Sequence, residues 1–343
     1  MTNRSAEDTC VSVRFVDLAD LLQRIFVTAG MTLENARILA LNCAVCERDG
    51  SLSHGIFRIP GYVASLKSGW ADGRVTPTVE DVGAAFVRVN AHNGFAQPAL
   101  DAARPALVAK ARAAGAAVLA IRDSHHFSAL WPDVEPFARE GFVALTCVGG
   151  LACVVPSGGS RAVFGTNPIA FATPVTDADP LVFDQATSVV SNGDVRIAAR
   201  ERQKVPSGAG LDRYGRPTVD PAAILDGGAL LTFGGHKGAS IALMVEILAA
   251  ALTGGQFSSE VDFSKYPGAE TPRTGQFLIL INPDYAGATN FGFRVRQLIG
   301  TLRDAGQDHI PGYRRYARRR ESEKNGILLS ITQLEQLRSL CGH

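Results

Sequence analysis

The central part of this sequence switches repeatedly between two hydrophobic periodicities, and this alternation restricts the possible folds more than any single motif does. Short apolar runs at 116–121 and 142–148 are typical of buried strands, whereas 97–114 and 131–140 carry apolar residues at helical spacing. Strands that alternate with helices predict the α/β class. Because several predicted strands are separated only by tight turns, as at 93–94, we expect a mixed, largely antiparallel sheet.

Both ends of the chain have helical patterns instead. Apolar residues recur at helical spacing over 16–30, 32–47, 59–66 and 331–340. We therefore expect two units, a helical one formed by 1–72 and joined by helices within 306–343, and an α/β unit over 73–305.

Two stretches of the α/β unit are predicted to lack regular structure. Residues 122–128 are expected to leave a strand as a loop. Residues 193–226 are polar and rich in glycine and proline, which predicts a long surface excursion of the kind that is usually functional. The strongest helical pattern, 239–253, follows them after a glycine-rich turn.

Bulk composition argues against several classes of partner. A formal net charge of +1 does not indicate nucleic-acid binding, and no apolar run reaches the roughly 18 residues of a membrane span. No secretory signal precedes the six cysteines, so we expect reduced thiols in a cytoplasmic protein. Cys43 and Cys46 form a CxxC, but without a second pair nearby they are interpreted as buried thiols on a helix.

The glycine-rich turn is the best candidate for binding an anionic cofactor. The sequence has no GxGxxG, so a standard Rossmann phosphate turn is not predicted, and Gly238 and Ala239 stand where a Walker A motif needs a hydroxyl. Backbone amides, the following helix N-terminus and the charge of Lys237 would converge on a phosphate here. A plain loop before a core helix is the alternative interpretation.

A second short segment combines an imidazole with a guanidinium. Ser53 and His54 lie between two predicted helices, and Arg58 follows one helical turn after His54. Imidazole suits acid–base chemistry, and arginine is the side chain best shaped to grip a carboxylate. With the glycine-rich turn, these residues predict an enzyme that reduces a small carboxylated substrate with a phosphorylated nucleotide; a purely structural histidine is the alternative.

Further polar residues occupy positions that suit a cleft. His125, His126 and Asp184 come just after predicted strands, where clefts in α/β sheets often form. Asp194 is predicted to lie in a polar loop, where its carboxylate could orient an imidazole. The arginines between 314 and 320 are interpreted equally as a solvated helix face or as charge for a 2′-phosphate.

In these residues the chain resembles the malate/L-lactate dehydrogenase-like family of NAD(P)-dependent oxidoreductases, over nearly its whole length. The motifs that carry the likeness occur in the family's order: Asp49, Gly50, Ser53, His54, Gly55, Arg58 and Tyr62; Ser124, His125, His126 and Phe127; Gly165, Thr166, Asn167 and Pro168; Asp184, Gln185, Ala186, Thr187 and Ser188; Pro217, Thr218, Asp220 and Pro221; and Gly234, Gly235, His236, Lys237 and Gly238. The resemblance implies a cofactor domain of non-Rossmann fold over 73–305, and a homodimer.

Within that family the sequence is most similar to the Δ1-piperideine-2-carboxylate/Δ1-pyrroline-2-carboxylate reductases. Residues 126–135 resemble the cofactor loop of that subgroup. At 192–194 hydroxyacid dehydrogenases of the family generally have Arg-Gly-Lys, whereas this chain has Asp194. The resemblance implies NADPH-dependent reduction of a cyclic imine beside a carboxylate, giving L-pipecolate or L-proline.

The same resemblance implies a role for each candidate residue. His54 is the implied proton donor, with Ser53 and Asp194 as its hydrogen-bonded relay. Arg58 and Thr166 are implied to contact the substrate, and no metal is implied. The NADPH site is implied to be lined by His126, Phe127, Ser128, Ala129, Leu130, Asp184, Gln185, Ala186, Gly235, His236, Lys237, Gly238, Ala239 and Ser240.

Two other functions stay open at this point. An NAD(P)-dependent 2-hydroxyacid dehydrogenase, acting on malate, lactate or ureidoglycolate, would share the fold, although Asp194 counts against it. A non-catalytic nucleotide- or metal-binding protein would use His125, His126 and His236, but further ligands at recognisable zinc spacing are missing from the sequence.

Overall fold

The computed structural model describes residues 10–285, 287 and 290–341. Its elements, in chain order, are β1 (Cys10–Val13), α1 (Phe15–Thr28), α2 (Leu33–Arg48), α3 (Ile59–Lys67), β2 (Thr78–Asp81), β3 (Phe86–Phe95), α4 (Ala96–Ala114), β4 (Ala116–His125), α5 (Trp131–Arg139), β5 (Val143–Val148), β6 (Val154–Val155), β7 (Ile169–Thr173), β8 (Leu181–Gln185), α6 (Asn192–Arg200), β9 (Gly210–Leu211), β10 (Pro217–Thr218), α7 (Pro221–Leu225), β11 (Ala229–Leu231), α8 (His236–Glu246), β12 (Arg273–Ile281), α9 (Phe291–Asp304), α10 (Tyr313–Asn325), β13 (Ile327–Ser330) and α11 (Ile331–Leu340). Two short 3₁₀ turns, Leu52–His54 and Ile56–Arg58, join α2 to α3, and a π-helical turn, Ile247–Ala251, extends α8.

Seven strands form the central sheet, in the order β2-β3-β4-β12-β5-β7-β8. Strands β3 and β4 run parallel, and the other five neighbouring pairs in this sheet are antiparallel. The predicted α/β class with a mixed, largely antiparallel sheet is therefore confirmed.

Helices cover both faces of this sheet, because strands that are apolar on both sides need cover on both. On one face α4 and α5 pack over the sheet, and the core there includes Leu119 and Phe137. On the other face Val245 and Ala249, from α8 and its π-helical turn, pack against Phe277 of β12. The sheet is thus a rigid platform between two layers.

The two ends of the chain share one core. Strand β1 pairs antiparallel with β13, so that Cys10 lies opposite Ser330. Helices α1, α2 and α3 bury Phe26 and Tyr62 in a cluster that also includes Leu337 of α11. The helices predicted near both ends are confirmed, and they form a layer beside the sheet that carries the Ser53–His54 turn.

The segment predicted as a polar excursion, 193–226, contains regular secondary structure. It contributes α6, β9, β10 and α7 to what we call the small lobe, whose four-stranded sheet has the order β10-β9-β11-β6. A few apolar side chains, including Val195, Val205 and Ile224, form its core. The glycines and prolines mark turns between short strands and do not prevent a fold.

Two predicted boundaries also differ. Strand β4 continues to His125, where a loop was expected from 122, because β12 pairs with it as far as that residue. The turn expected at 93–94 lies inside β3, as an irregularity in its pairing with β4, and His92 and Asn93 take up positive φ values of 51° and 68° there.

Helix α8 begins at His236, three residues earlier than the pattern predicts. Gly234 and Gly235 both adopt left-handed conformations, which turn the chain sharply into the helix. Among the helices of the described residues, none is both long and apolar enough to cross a lipid bilayer.

Candidate active site

Three segments meet at one edge of the central sheet because of how its strands run. Strands β4 and β8 end at this edge and β7 begins there, with Ile169 opposite Gln185. The chain that follows β4 (126–130), the chain before β7 (166–168) and the end of β8 (184–186) are therefore neighbours. Each was singled out in the sequence, and the sheet brings them together.

These segments and the Ser53–His54 turn enclose a cavity of about 580 Å³, which we call the central cavity. Its volume is in the range of small-molecule sites. The predicted site residues that line it are Ser53, His54, Ser128, Ala129, Leu130, Thr166, Asp184, Gln185, Ala186 and Asp194. Ser51, Trp131, Ser188 and Arg315 also line it and were not predicted as lining residues.

The imidazole of His54 is held by its neighbour. Ser53 Oγ lies 3.0 Å from His54 Nδ1, and Arg58 Nε donates to the Ser53 carbonyl oxygen at 2.8 Å. Burial, assisted by the nearby charge of Arg58, lowers the pKa of His54 to about 3. A neutral ring that accepts the Ser53 hydroxyl at Nδ1 carries its proton on Nε2.

Asp194 lies in the first turn of α6, not in the polar loop that was predicted. Its backbone N–H is bonded to Ser191 Oγ, the helix N-cap, at 3.0 Å, and its side chain is exposed at the central cavity. Among the described residues no hydrogen bond joins its carboxylate to Ser53 or His54. The three predicted relay residues therefore line one cavity. Of the two hydrogen bonds expected between them, the structure forms the one between Ser53 and His54.

Arg58 is buried, with 8% of its surface exposed, and it has no ionic partner within the described part of the chain. Its guanidinium stacks on Phe127, 4.1 Å from the ring centroid, and burial lowers its pKa to about 10. Arg58 and Phe127 line a neighbouring space of about 610 Å³, the outer cavity, and not the central one. A Cβ on Gly193 would lie 2.8 Å from Arg58 Nη2, so the start of α6 packs directly on this guanidinium.

Thr166 is fixed through its backbone and through the residue that follows it. Its carbonyl oxygen accepts the backbone N–H of Thr187 at 2.8 Å and the Thr187 hydroxyl at 2.9 Å. Asn167 is fully buried at a φ of 39°, and its amide donates to Glu246 at 2.9 Å and to the Ala242 carbonyl at 3.0 Å. These bonds set the direction in which Thr166 enters the cavity.

Asp184 closes the cavity by capping a helix. One carboxylate oxygen accepts the backbone N–H groups of Leu130 at 2.7 Å and Trp131 at 3.0 Å, at the start of α5. Burial raises the pKa of Asp184, and these two amide bonds oppose that shift. The segment 126–130 is thereby anchored to the end of β8.

His126 has its side chain in the protein interior and not in the cavity. Its Nε2 lies 2.9 Å from Asp133 Oδ2, and Gln276 donates to the same carboxylate oxygen at 2.8 Å. His125 is also buried: its Nε2 lies 3.0 Å from Asn93 Oδ1 and its Nδ1 lies 3.0 Å from Thr271 Oγ1. Both histidine side chains therefore have structural partners.

The glycine-rich segment lies beside the central cavity and does not line it. Phe233, just before the turn, is a lining residue, whereas Gly235, His236, Lys237 and Ser240 are exposed and Ala239 is half-buried. Gly238 lies inside the first turn of α8, where a Cβ would come within 2.1 Å of the Phe233 carbonyl oxygen. The segment is thus a helix N-terminus at the cavity edge.

The arginine run lies on α10 and divides into two groups. Arg319 pairs with Asp49 at 2.5 Å and Glu135 at 2.7 Å, and Arg320 pairs with Asp179 at 3.1 Å. The other three, Arg314, Arg315 and Arg318, line a space of about 620 Å³ that we call the arginine cavity. It adjoins the central cavity, because Ser51, Asp184, Gln185 and Arg315 line both.

Arg315 is the member of this group that reaches furthest inward. Its guanidinium stacks over Trp131 at 4.5 Å from the ring centroid, and its Nη1 is buried with no hydrogen-bond partner among the described residues. An orphaned guanidinium nitrogen between two joined cavities is suited to an anionic ligand.

Cysteines and metal ligands contribute nothing further here. Cys43 and Cys46 are buried in α2, as the sequence predicted, and burial raises the pKa of Cys46 to about 12. Over residues 10–285, 287 and 290–341, no group of three or more His, Cys, Asp or Glu side chains could hold a metal ion.

Comparison with known proteins gives a consistent result. The family model described as malate/L-lactate dehydrogenase matches residues 13–338. The chain is 57% identical over 343 residues, 100% of both chains, to the Delta(1)-pyrroline-2-carboxylate/Delta(1)-piperideine-2-carboxylate reductase of Pseudomonas syringae pv. tomato. It is also 57% identical over 334 residues to the reductase of the same name from Pseudomonas putida, covering 97% of this chain and 98% of that one. The crystal structure of the delta1-piperideine-2-carboxylate reductase from P. syringae pv. tomato superposes with a TM-score of 0.95 at 58% identity, over 96% of this chain and 99% of that chain.

Proposed function

This chain belongs to the malate/L-lactate dehydrogenase family, and from that premise we propose that it reduces the cyclic imino acids Δ1-piperideine-2-carboxylate and Δ1-pyrroline-2-carboxylate. The observation that carries this function is the end-to-end identity of 57% with two reductases named for these substrates. The chain is thus an oxidoreductase acting on C=N. The 2-hydroxyacid alternative is not favoured.

We assign NADPH as the reductant, because the residues present fit a phosphorylated dinucleotide. The central and arginine cavities adjoin each other and share four lining residues, which suits a ligand with two linked halves. In the arginine cavity, Arg314, Arg315 and Arg318 form no ion pair among the described residues, so their charge is free to bind a 2′-phosphate. When bound, the nicotinamide ring supplies a hydride to the imine carbon.

The proposed proton donor is Nε2 of His54. As hydride reaches the imine carbon, the π electrons of C=N move to nitrogen, which takes a proton, so one imine, one hydride and one proton give one secondary amine. The Ser53 hydroxyl holds the ring in the tautomer with its proton on Nε2, and it can pass its own proton to Nδ1 as Nε2 gives one up. Asp194 shares this cavity and is the group we assign to restore the Ser53 proton from solvent.

Arg58 is the proposed clamp for the substrate carboxylate. A buried guanidinium without a carboxylate partner is electrostatically costly, and a bound anion would compensate it. Because Arg58 borders the outer cavity and is separated from the central one by the start of α6, we propose that α6 shifts when substrate binds. Thr166 is proposed to contact the substrate from the opposite wall.

We assign the protein to the cytoplasm, which agrees with the buried thiols Cys43, Cys46 and Cys147. We also propose a homodimer, supported by apolar side chains exposed along α8 and its π-helical turn, among them Leu243, Met244 and Ile247.

The function is tested by steady-state oxidation of NADPH with purified protein. We expect turnover with Δ1-piperideine-2-carboxylate and Δ1-pyrroline-2-carboxylate, and none with malate, lactate or ureidoglycolate in the reverse direction with NADP⁺. His54→Ala should abolish turnover and leave NADPH binding, followed by its fluorescence, unchanged. Turnover of the hydroxyacids alone would contradict the proposal, and loss of NADPH binding in His54→Ala would move this histidine out of the proton-donor role.

A further inference from the structure

Glu47 is a buried carboxylate that no step of the proposed reaction uses. It lies near the end of α2, with 5% of its surface exposed, and it forms no ion pair among the described residues. Burial raises its pKa to about 7. A buried carboxyl group kept without a cation is energetically unfavourable unless hydrogen bonds compensate it.

The hydrogen bond that Glu47 makes is to the turn that carries the proposed proton donor. Its Oε2 accepts the backbone N–H of Ile56, a buried residue, at 2.9 Å. Two residues before Ile56 lies His54, whose own backbone N–H donates to the Ser51 carbonyl oxygen at 2.8 Å. The backbone N–H of Ile56 is buried, so without Glu47 it would have no hydrogen-bond acceptor from α2.

The turn fits closely around this carboxylate. A Cβ on Gly55 would lie 2.1 Å from Glu47 Oε2 and 3.0 Å from Glu47 Cα, so a side chain at 55 is sterically excluded. At the start of the turn, Arg58 Nε donates to the Ser53 carbonyl oxygen at 2.8 Å. The turn 53–56 is therefore held by a hydrogen bond at each end, between Ser53 and the Arg58 guanidinium and between Ile56 and the Glu47 carboxylate.

We propose that Glu47 is a positioning residue for proton transfer: by fixing the backbone of Ile56 it holds the 53–56 turn so that Nε2 of His54 is directed into the central cavity. This inference rests on the proposed role of His54. Glu47 lines the outer cavity together with Arg58, and we assign its effect to the turn and not to contact with the substrate. The positioning depends on a side chain long enough to bond to the Ile56 N–H and not on its charge, since an uncharged oxygen at the same place accepts the same hydrogen bond.

Two substitutions at position 47 distinguish the effect of side-chain length from the effect of the negative charge. Glu47→Gln keeps the length and loses the charge, and we expect its kcat to stay within about threefold of wild type, because one neutral hydrogen bond replaces a charged one. Glu47→Asp keeps the charge and is one methylene too short to reach Ile56, and we expect kcat to fall about 10- to 100-fold with the KM for NADPH unchanged. Glu34→Ala, at an exposed position in the first turn of the same helix, is the control and should have wild-type kinetics.

A double-mutant cycle tests whether Glu47 acts through His54. The rate measured is the slow residual oxidation of bound NADPH that single-turnover conditions detect in His54→Ala, with and without Glu47→Asp, against the same pair in the wild-type background. We expect no further loss in the double variant, because the group being positioned is already absent. A purely structural role would reduce the rate by the same factor in both backgrounds.

The outcomes are distinct. Wild-type kcat in Glu47→Asp, or a larger loss in Glu47→Gln than in Glu47→Asp, overturns the inference, as does an equal loss with and without His54. Failure of the wild-type protein to reduce either imine defeats the proposed function and is seen before any variant is measured.

Discussion

At the scale of single residues, the presence or absence of a protein partner separates structural charges from candidate functional ones. Arg319 is partly buried and meets two carboxylates, Asp49 and Glu135, so its charge is neutralised within the protein. Arg58 is buried and meets none among the described residues. A guanidinium in the second situation gains most from an anionic ligand.

Arg58→Ala should therefore weaken binding of the imine acid and not of the cofactor. We expect the KM for Δ1-piperideine-2-carboxylate to rise about 30- to 150-fold, which corresponds to about 2–3 kcal/mol for a charged hydrogen-bonded contact. Arg58→Lys should fall between, because lysine restores the charge without the bidentate geometry. The measurement is the KM for each substrate in steady-state assays.

Arg200→Ala is the matched control for this prediction. Arg200 lines the same outer cavity but is largely exposed and stacks on Phe57. Its removal should leave both KM values at wild type. An unchanged KM for the imine acid in Arg58→Ala would exclude Arg58 as the carboxylate clamp.

The buried His125 side chain should make the free energy of unfolding depend on pH. Burial lowers its pKa to about 3 in the folded state, whereas an unfolded histidine titrates near 6.5. Below about pH 6.5 the unfolded chain binds a proton at this residue that the folded chain does not, so the free energy of unfolding falls as pH falls through this window. The contribution is at most about 1.4 kcal/mol per pH unit.

His125→Gln isolates that contribution. The glutamine amide can donate and accept as the neutral ring does, but it does not titrate. Between about pH 6.5 and about pH 5.5, the free energy of unfolding in urea should fall by about 1 kcal/mol more in wild type than in the variant. Glu47, whose pKa is raised, opposes this trend equally in both proteins. Parallel pH profiles for the two proteins would show that His125 is protonated in the folded state.

Residue patterns identified part of this site and missed the rest for a definite reason. His54, Thr166 and Asp184 belong to short motifs, and all three line the central cavity. Glu47 carries no local signal, because its partner Ile56 is defined only once α2 and the turn are packed together. Asp133 lies in the predicted cofactor loop, but its bonds to His126 and Gln276 were not predicted, since they join separate elements.

At the scale of elements, the ends of helices fix the walls of the cavity. Asp184 of β8 caps α5, which begins immediately after the segment 126–130. A carboxylate at a helix N-terminus is favourable both as an acceptor and through the helix dipole. The capping bond therefore links the sheet edge, α5 and the predicted cofactor loop.

Asp184→Ala should reduce both stability and cofactor affinity. We expect the free energy of unfolding to fall by about 1–2 kcal/mol, and the KM for NADPH to rise, because the 126–130 segment loses its anchor. Asp184→Asn, which keeps an acceptor oxygen, should lose less of each. Urea unfolding and steady-state kinetics supply the two measurements.

Asp220→Ala is the control for this variant. Asp220 caps α7 of the small lobe through the Ala222 N–H at 2.9 Å, at an exposed position outside the three cavities described above. It should lose stability and keep the wild-type KM for NADPH. An equal rise of KM in both variants would attribute the effect of Asp184 to general loosening of the fold.

Periodicity predicted elements well where their contacts are local. Helix α2 begins after the Thr32 cap, as expected, and α4 and α5 match their predicted ranges closely. The β1–β13 pair was not predicted, because each strand has four residues and its partner lies at the other end of the sequence. The small lobe was missed because strands of two or three residues leave no periodic pattern.

At the scale of the whole molecule, α8 and its π-helical turn are among the helices that leave apolar side chains exposed. Leu243 and Ile247 lie four residues apart along α8 and its π-helical turn, and each has 51% of its surface exposed. Such a row on a folded chain is typical of a subunit interface. We take it as the surface of the proposed homodimer.

If the proposed homodimer uses this surface, Ile247→Lys should yield a monomer, because a lysine charge cannot be desolvated at an apolar contact without a partner. Sedimentation velocity across a range of protein concentrations measures the change. Val16→Lys, at a position 55% exposed on α1, is the control and should remain dimeric. A dimer that persists in Ile247→Lys would place the interface on another surface.

The pairing of β1 with β13 also bears on how the protein is made. Residues 10–13 are synthesised before residues 327–330, so β1 has no strand to pair with until 327–330 have been made. The layer that supports the Ser53–His54 turn is completed only when residues 327–330 have paired with β1, so during synthesis the central sheet can form before the turn has its full support.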